Sequence, residues 1–236
     1  MQAVKSHILC TRSLEEPVLS KAAAAGVVID TVSFIETQPV VTEVFKQTVT
    51  EVAANPATIV FTSMNAVDAV VSQLEQIPTH WHIYCIGGIT KELVKKYFGE
   101  QCLMGTGKSA ALLAEKISHA AATPEEVVFF CGDQRLDELP QALQAHQIKV
   151  REVVSYTTIL TPQTIDINYD AVIFFSPSAA HSFFSENTVH TDIPLFAIGK
   201  TTAATIRSYV ANTVITSEWP GKEHMIDLVI EYFNKR

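Results

Sequence analysis

Three sequence blocks occur twice in this chain, in the same order and at nearly the same separation. The first pair is IVFTSMNAVDAVVS at 59–72 and VIFFSPSAAHSFFS at 172–185, which aligns Ser63 with Ser176. The other pairs are 83–93 with 195–205, which aligns Gly87 with Gly199, and 106–117 with 220–233. This separation is far longer than the unit of a solenoid, so the sequence predicts a duplicated domain.

Short runs rich in valine, isoleucine and phenylalanine alternate along the chain with longer segments of helical periodicity. Such runs are typical of strands buried on both faces of a parallel sheet. The sequence therefore predicts an α/β fold with two similar Rossmann-like or flavodoxin-like domains. Ser13 and Glu16 predict a capping box at the start of the first helix. The predicted strands are 7–11, 27–34, 58–63, 82–87, 127–132, 149–156, 171–176, 194–199 and 212–217, and the predicted helices are 15–25, 66–75, 90–98, 110–121, 136–146, 179–184, 202–210 and 224–234.

The order of the segments also predicts how the two copies are joined. A strand, an acidic turn with a proline, a helix and a β-rich strand occur at the start of the chain and again in its middle. The simplest arrangement inserts the second domain into the first, with domain 1 at 1–33 plus 161–236 and domain 2 at 41–152. The chain then crosses between them at 34–40 and 153–160. Both crossings are extended and β-branched, which predicts a two-stranded β hinge.

Composition disfavours several classes of protein. Hydrophobic residues make up 47% of the 236, which excludes intrinsic disorder, and no apolar stretch reaches the roughly 20 residues of a membrane helix. The start of the chain does not have the pattern of a signal peptide. A net charge of −8 disfavours nucleic-acid binding. The four cysteines are far apart, which indicates buried thiols in a reducing compartment. We therefore expect a cytoplasmic protein that binds neither nucleic acid nor membrane.

Matching strand-to-helix turns in the two copies predict a binding site. Ligands of open α/β sheets bind at the carboxyl ends of the strands, where helix N-termini attract anions. If the hinge brings the two edges face to face, hydroxyls and glycine backbone line a cleft that suits an anion. The same residue types are also ordinary helix caps and turn residues, so both interpretations stay open. The turns are Thr62-Ser63-Met64-Asn65 with Ser176-Pro177-Ser178, and Gly87-Gly88 with Gly199-Lys200-Thr201-Thr202.

Several cofactor motifs are present only in part. GTGKS at 105–109 is similar to a P-loop, but Cys102 stands where the pattern requires glycine, and no predicted strand leads into the segment. The segments 87–92 and 198–203 lack the third glycine of a dinucleotide-binding fingerprint. The histidines are scattered without metal-ligand spacing, and no serine lies in a nucleophile elbow. We therefore expect no metal and no organic cofactor.

Five segments, in their order and spacing, resemble those of one known family. They are TSMNAV (62–67), IGGIT (86–90), Tyr156-Thr157-Thr158, FSPSAA (175–180) and IGKTTA (198–203). Over nearly its whole length the chain resembles uroporphyrinogen-III synthases. The resemblance implies a cofactor-free lyase of haem biosynthesis that cyclises hydroxymethylbilane, a linear tetrapyrrole with eight carboxylates, through a spiro intermediate that inverts ring D. It also implies a monomer in transient contact with hydroxymethylbilane synthase.

The resemblance further implies the residues that act on the substrate. Tyr156 matches a tyrosine that assists departure of the hydroxyl, and a neutral phenol can donate a proton. The alternative is an aromatic side chain that packs in the hinge. The implied substrate-binding residues are Arg12, Thr62, Ser63, Asn65, Gly87, Gly88, Thr90, Ser176, Ser178, Gly199, Lys200, Thr201 and Thr202.

Basic residues are where the resemblance is weakest. Arg12 matches a frequent Thr-Arg after the first strand, or else it pairs with a neighbouring glutamate on the surface. Cys131 stands where the family often has a basic residue before glycine. Arg135 either replaces that basic residue or lies on a helix surface.

A second function stays open beside the enzyme. Two lobes joined by two crossing strands also describe hinge-closing binding proteins. The alternative is therefore a cytosolic small-anion binding or sensor protein without catalysis.

Overall fold

Two mainly parallel sheets organise the chain. The structure, a computed structural model, describes residues 6–217 and 221–235. Residues up to Glu36 together with those from Ile159 onward form unit 1, and Thr37–Thr158 form unit 2. In chain order the described elements are β1 (Ser6–Cys10), α1 (Glu16–Ala24), β2 (Val27–Thr31), β3 (Ile35–Pro39), α2 (Glu43–Ala53), β4 (Thr58–Phe61), α3 (Met64–Val71), β5 (His82–Ile86), α4 (Ile89–Phe98), β6 (Leu103–Gly107), α5 (Ala110–Ser118), β7 (Glu126–Gly132), α6 (Glu138–Ala145), β8 (Lys149–Leu160), β9 (Ala171–Phe174), α7 (Pro177–Glu186), β10 (Leu195–Ile198), α8 (Gly199–Tyr209), β11 (Val214–Ser217) and α9 (Lys222–Asn234).

The sheet of unit 1 has the strand order β11-β10-β9-β1-β2, and all neighbouring strands are parallel. Numbered along the unit, this is the flavodoxin-like order 2-1-3-4-5. Successive side chains of a strand point to opposite faces, so each face has its own core. On one face, Ile8 and Ile173 pack with α1 and α9. On the other, Leu9 and Val172 pack with α7 and α8.

The sheet of unit 2 has the order β3-β8-β7-β4-β5-β6. The five strands from β8 to β6 are parallel to their neighbours. One face packs Ile59 and Phe61 against α2, α3 and α4. The other packs Val60 and Phe129 against α5 and α6.

Unit 2 is a circular permutation of the arrangement in unit 1. Strands β7 and β8 take the positions that β1 and β2 hold in unit 1, and β4, β5 and β6 take those of β9, β10 and β11. The repeated blocks begin at β4 and β9 because these strands are equivalent. Residues 218–220, where the last repeated block starts, lie outside the described residues.

The crossing segments belong to strands β3 and β8, of which β3 is the edge strand of the second sheet. Strand β3 lies beside β8, and the Val40 amide donates to the Ser155 carbonyl at 2.9 Å. The Thr161 amide donates to the Phe34 carbonyl at 3.0 Å. Residue numbers rise on one strand while they fall on the other, which indicates antiparallel pairing.

Two local expectations were wrong, and one helix was not predicted. Segment 43–53 forms helix α2, which the sequence analysis did not predict, and β6 leads into the GTGKS segment, where no strand was predicted. Glu15, rather than Ser13, stands at the N-cap of α1, and its side chain makes no capping hydrogen bond. Within the described residues, no helix has the length and apolar character needed to span a membrane.

Candidate functional site

The site in unit 2 lies where the strand order reverses, at the carboxyl ends of β4 and β7. Ligands of doubly wound sheets bind at such switch points. Ser63 follows β4 and caps α3, because its hydroxyl accepts a hydrogen bond from the Asn65 amide at 3.1 Å. Thr62, Ser63 and Asn65 are partly exposed. Ser63 is therefore a helix cap, and its hydroxyl also lies near an aromatic residue at the same edge of the sheet.

That aromatic residue is Tyr156, which lies on β8 opposite Gly132 at the end of β7. The Ser63 hydroxyl lies near enough to the Tyr156 hydroxyl to lower the pKa of the phenol. A Cβ added to Gly132 would lie 2.5 Å from Cζ of Tyr156 and 2.8 Å from its hydroxyl oxygen. Real Cβ atoms do not approach so closely, so the tyrosine ring occupies this position only because residue 132 is glycine.

Tyr156 keeps its proton at neutral pH. Burial raises the pKa of its phenol above the ordinary value of 10, and the negative charge of nearby Asp133 acts in the same direction. Ser63 lowers the pKa of the phenol, but by less than burial raises it. A neutral phenol held at a switch point can donate a hydrogen bond or a proton to a leaving hydroxyl.

The basic residue expected before Gly132 has no direct substitute. Burial raises the pKa of the Cys131 thiol to about 11, so this side chain is a neutral thiol. Arg135 donates from Nε to Glu152 at 2.6 Å and also pairs with Asp137. Its charge is therefore already engaged by two carboxylates.

The neighbouring turn in unit 2 contains the glycine pair. Gly88 precedes α4 with φ +75°, a conformation that glycine adopts at low cost. The Gly87 amide donates to the Gly107 carbonyl at 3.0 Å, so this N–H is used within the sheet. Thr90 is buried in the first turn of α4.

Two lysines at the carboxyl edge of the same sheet were not predicted from the sequence as site residues. Lys91 lies in the first turn of α4, and Lys108 follows β6 directly. Neither forms a hydrogen bond or an ion pair with the side chains that the structure describes. A position just after a strand could have identified both lysines from the sequence. For Lys108 this would have required a prediction of strand β6.

A cavity of about 300 Å³ lies beside Tyr156 and entirely within unit 2. One wall is a face of α3, another is β3, and Tyr156 of β8 contributes the aromatic side. The lining residues are Thr37, Pro39, Asn65, Asp68, Ala69, Ser72 and Tyr156. Of the expected site residues, Asn65 and Tyr156 line this cavity.

Unit 1 has an equivalent switch point between β1 and β9. Arg12 follows β1, is exposed, and lies 5.4 Å from the ring centre of Phe175, which follows β9. Ser176 caps α7 by accepting a hydrogen bond from the Ala179 amide at 3.1 Å. Arg12 is thus positioned by an aromatic ring, and Lys222 is the cation that pairs with Glu15.

The remaining expected residues of unit 1 lie in the first turns of α7 and α8. Gly199 opens α8 with φ +79°, which resembles Gly88 in unit 2. Lys200 and Thr201 are exposed, whereas Thr202 and Ser178 are buried. Ser178 and Thr202 therefore help to pack their helices, and Lys200 and Thr201 are available to a ligand.

The carboxyl ends of the strands in the two units indicate the class of protein. Each unit is a doubly wound α/β domain whose strand ends carry capping hydroxyls, a left-handed glycine and cations, the features of an anion-binding site. Within the described part of the chain, no group of three or more histidine, cysteine, aspartate and glutamate side chains could hold a metal ion.

The chain belongs to the uroporphyrinogen-III synthase family. The family model described as "HEM4: Uroporphyrinogen-III synthase HemD" matches residues 17–227. Its function is accordingly that of a uroporphyrinogen-III synthase in tetrapyrrole biosynthesis, and the family implies an enzyme with a small-molecule tetrapyrrole substrate. The expected family and α/β fold are confirmed.

Two solved structures show the same fold. Uroporphyrinogen-III synthetase from Helicobacter pylori is 17% identical, with a TM-score of 0.67 over 96% of this chain and 99% of that one. A mutant uroporphyrinogen III synthase from Thermus thermophilus is 14% identical, with a TM-score of 0.64 over 98% of this chain and 99% of that one.

Proposed function

We propose that this chain is a lyase that converts hydroxymethylbilane to uroporphyrinogen III with loss of water and inversion of ring D. The family match supports the class of reaction. The observation that carries the chemistry is the neutral phenol of Tyr156, which Ser63 and Gly132 hold at the switch point of unit 2.

The reaction balances without an oxidant or a reductant. The C–O bond of the hydroxymethyl group breaks, and its electron pair leaves on oxygen, which takes a proton from Tyr156 and departs as water. The lone pair of the pyrrole nitrogen stabilises the resulting azafulvene cation. The substituted carbon of ring D attacks this cation to give the spiro intermediate. The bond from that carbon to its original methylene bridge then breaks, its electron pair stays on ring D, and a second azafulvene cation is left on ring C. Closure at the other ring carbon then releases a proton that restores the phenol.

The polar strand ends serve to fold the substrate rather than to activate it. Eight carboxylates must be positioned so that closure with inversion is favoured over direct closure, which is catalysis by orientation. Lys91 and Lys108, which carry no ion pair to a described side chain, extend the binding set in unit 2. The other proposed binding residues are Arg12, Thr62, Ser63, Asn65, Gly87, Gly88, Ser176, Gly199, Lys200 and Thr201. The buried side chains of Thr90, Ser178 and Thr202 hold the first turns of their helices in place beside the substrate.

An isomer-resolved assay tests the proposal. Hydroxymethylbilane is generated in place, the products are oxidised, and porphyrin isomers I and III are separated. We expect isomer III in proportion to the added protein, since direct closure gives isomer I. Tyr156→Phe should lower turnover roughly 10²-fold, the lower end of general-acid contributions, with an unchanged melting temperature. Formation of isomer I alone at every protein concentration would favour the anion-binding alternative.

We also propose that the protein acts as a monomer in the cytoplasm and receives its substrate by transient contact with hydroxymethylbilane synthase. The four free, buried cysteines fit a reducing compartment. Size-exclusion chromatography with light scattering tests the first point. A stable dimer at micromolar concentration would contradict it.

A further inference from the structure

One face of helix α3 forms a wall of the cavity beside Tyr156. Asn65, Asp68, Ala69 and Ser72 all line this cavity. Their spacing of three, four and seven residues from Asn65 is that of a single helical face. Whatever enters the cavity beside the Tyr156 phenol therefore meets Asp68.

Asp68 is the charged residue among the residues that line the cavity. Its side chain is exposed and makes no hydrogen bond or ion pair with the side chains described by the structure. It lies beyond the first turn of α3, whose N-cap is Ser63, so it does not cap the helix. Neither capping nor ion pairing within the described chain accounts for a carboxylate at this position.

A negative charge in the cavity selects which part of the substrate can enter. The carboxylates of hydroxymethylbilane are repelled by Asp68, because like charges at short distance repel each other. Pyrrole N–H groups are donors, and an anionic acceptor strengthens their hydrogen bonds. A cavity of about 300 Å³ is at the small end of ligand sites, so it accommodates one part of a tetrapyrrole rather than the whole molecule.

We propose that Asp68 accepts the hydrogen bond of the pyrrole N–H in the ring that loses its hydroxyl, beside Tyr156. This inference rests on the proposed function and extends it to a second residue that contacts the reacting ring. When the C–O bond breaks and water leaves with the proton of Tyr156, positive charge develops on the N–H of the azafulvene. The carboxylate faces that charge and stabilises it without itself gaining or losing a proton.

Two variants of Asp68 test the inference, with Glu75→Gln as the matched control. Glu75 follows α3 in the chain, is exposed, lies outside the residues lining the cavity, and has no partner among the described side chains. Asp68→Asn removes the charge and keeps an acceptor oxygen, whereas Asp68→Ala removes both. We expect kcat/KM for isomer III to fall about 10-fold or more in Asp68→Ala, and less in Asp68→Asn. Glu75→Gln should retain the wild-type value, and all three variants should melt as the wild type does.

Two kinetic outcomes would contradict this role of Asp68. If Asp68 only repels the substrate, both Asp68 variants will lower KM and leave kcat unchanged, because removal of a negative charge favours a polyanion. That outcome, or unchanged kinetics, overturns the role of Asp68 while wild-type protein still makes isomer III. Wild-type protein that makes only isomer I would instead overturn the proposed function.

Discussion

At the scale of single residues, the site depends on a glycine that carries no functional group. Gly132 and Tyr156 are opposite each other on neighbouring strands, and the tyrosine ring occupies the space that any other side chain at 132 would fill. From this position the phenol is near enough to Ser63 for that residue to lower its pKa. The tyrosine ring therefore needs a glycine opposite it on β7, and its hydroxyl lies near Ser63, which caps α3.

Gly132→Ala should therefore act through Tyr156. We expect the added methyl group to displace the ring and lower kcat/KM at least 10-fold, since a misplaced catalytic group loses most of its effect. The measurement is a double-mutant cycle with Tyr156→Ala. In the Tyr156→Ala background the alanine at 132 should have almost no further effect on kcat. Equal effects of Gly132→Ala in both backgrounds would mean that it disturbs the fold rather than the tyrosine.

At the scale of elements, the two unpredicted segments show how tertiary contacts decide secondary structure. Segment 43–53 is rich in valine and threonine, which favours a strand by propensity. It is nevertheless helix α2, since Phe45, Val49 and Val52 have helical spacing and are buried in the core of unit 2. Strand β6 contains two glycines and is an edge strand paired with β5, so its own sequence indicates it only weakly.

Close packing of β6 against α5 makes one of its glycines necessary. A Cβ on Gly107 would lie 2.6 Å from the Leu113 backbone nitrogen, which belongs to a helix and cannot move alone. We expect Gly107→Ala to lower the free energy of unfolding by about 1–3 kcal/mol, as other overpacked sites do. Chemical denaturation measures this change.

Gly87→Ala is the matched control for that measurement of stability. Its Cβ would lie 3.8 Å from the Gly107 carbonyl oxygen, an ordinary van der Waals contact. We expect a change within about 0.5 kcal/mol. Equal destabilisation by both variants would show that loss of glycine at this edge, rather than the approach of α5, is what matters.

At the scale of the whole molecule, permutation determines which part of the chain can fold by itself. All strands of the second sheet from β4 to β8 come from one continuous segment, and both of its cores are built from residues of that segment. Unit 1 instead takes β1 and β2 from the start of the chain, and β1 lies between β2 and β9.

We therefore expect residues 37–158 to fold alone and residues 159–236 not to fold. The second fragment lacks β1, so β9 loses a neighbour and both faces of the sheet lose core residues. Circular dichroism and cooperative thermal unfolding of the two fragments measure this difference. Cooperative unfolding of residues 159–236 would contradict the topological argument, and an unfolded 37–158 would show that unit 2 needs the rest of the chain.

The duplication, the α/β class and the family could be predicted from the sequence, because each of these depends on patterns that run along the chain. Buried strands are apolar throughout, and repeated blocks keep their order and separation. Ser63, Asn65 and Tyr156 could also be selected as candidates from the sequence.

Three relations follow from the packing of the folded chain and not from patterns along it. Gly132 makes room for Tyr156, Lys108 follows a strand, and Asp68 shares a cavity with the phenol. These relations join residues that are far apart in sequence. Strand register and the rotation of α3 bring them together. Strand register and the rotation of a helix about its axis are set by the packing of whole elements. The identity of a single residue contributes little to that packing.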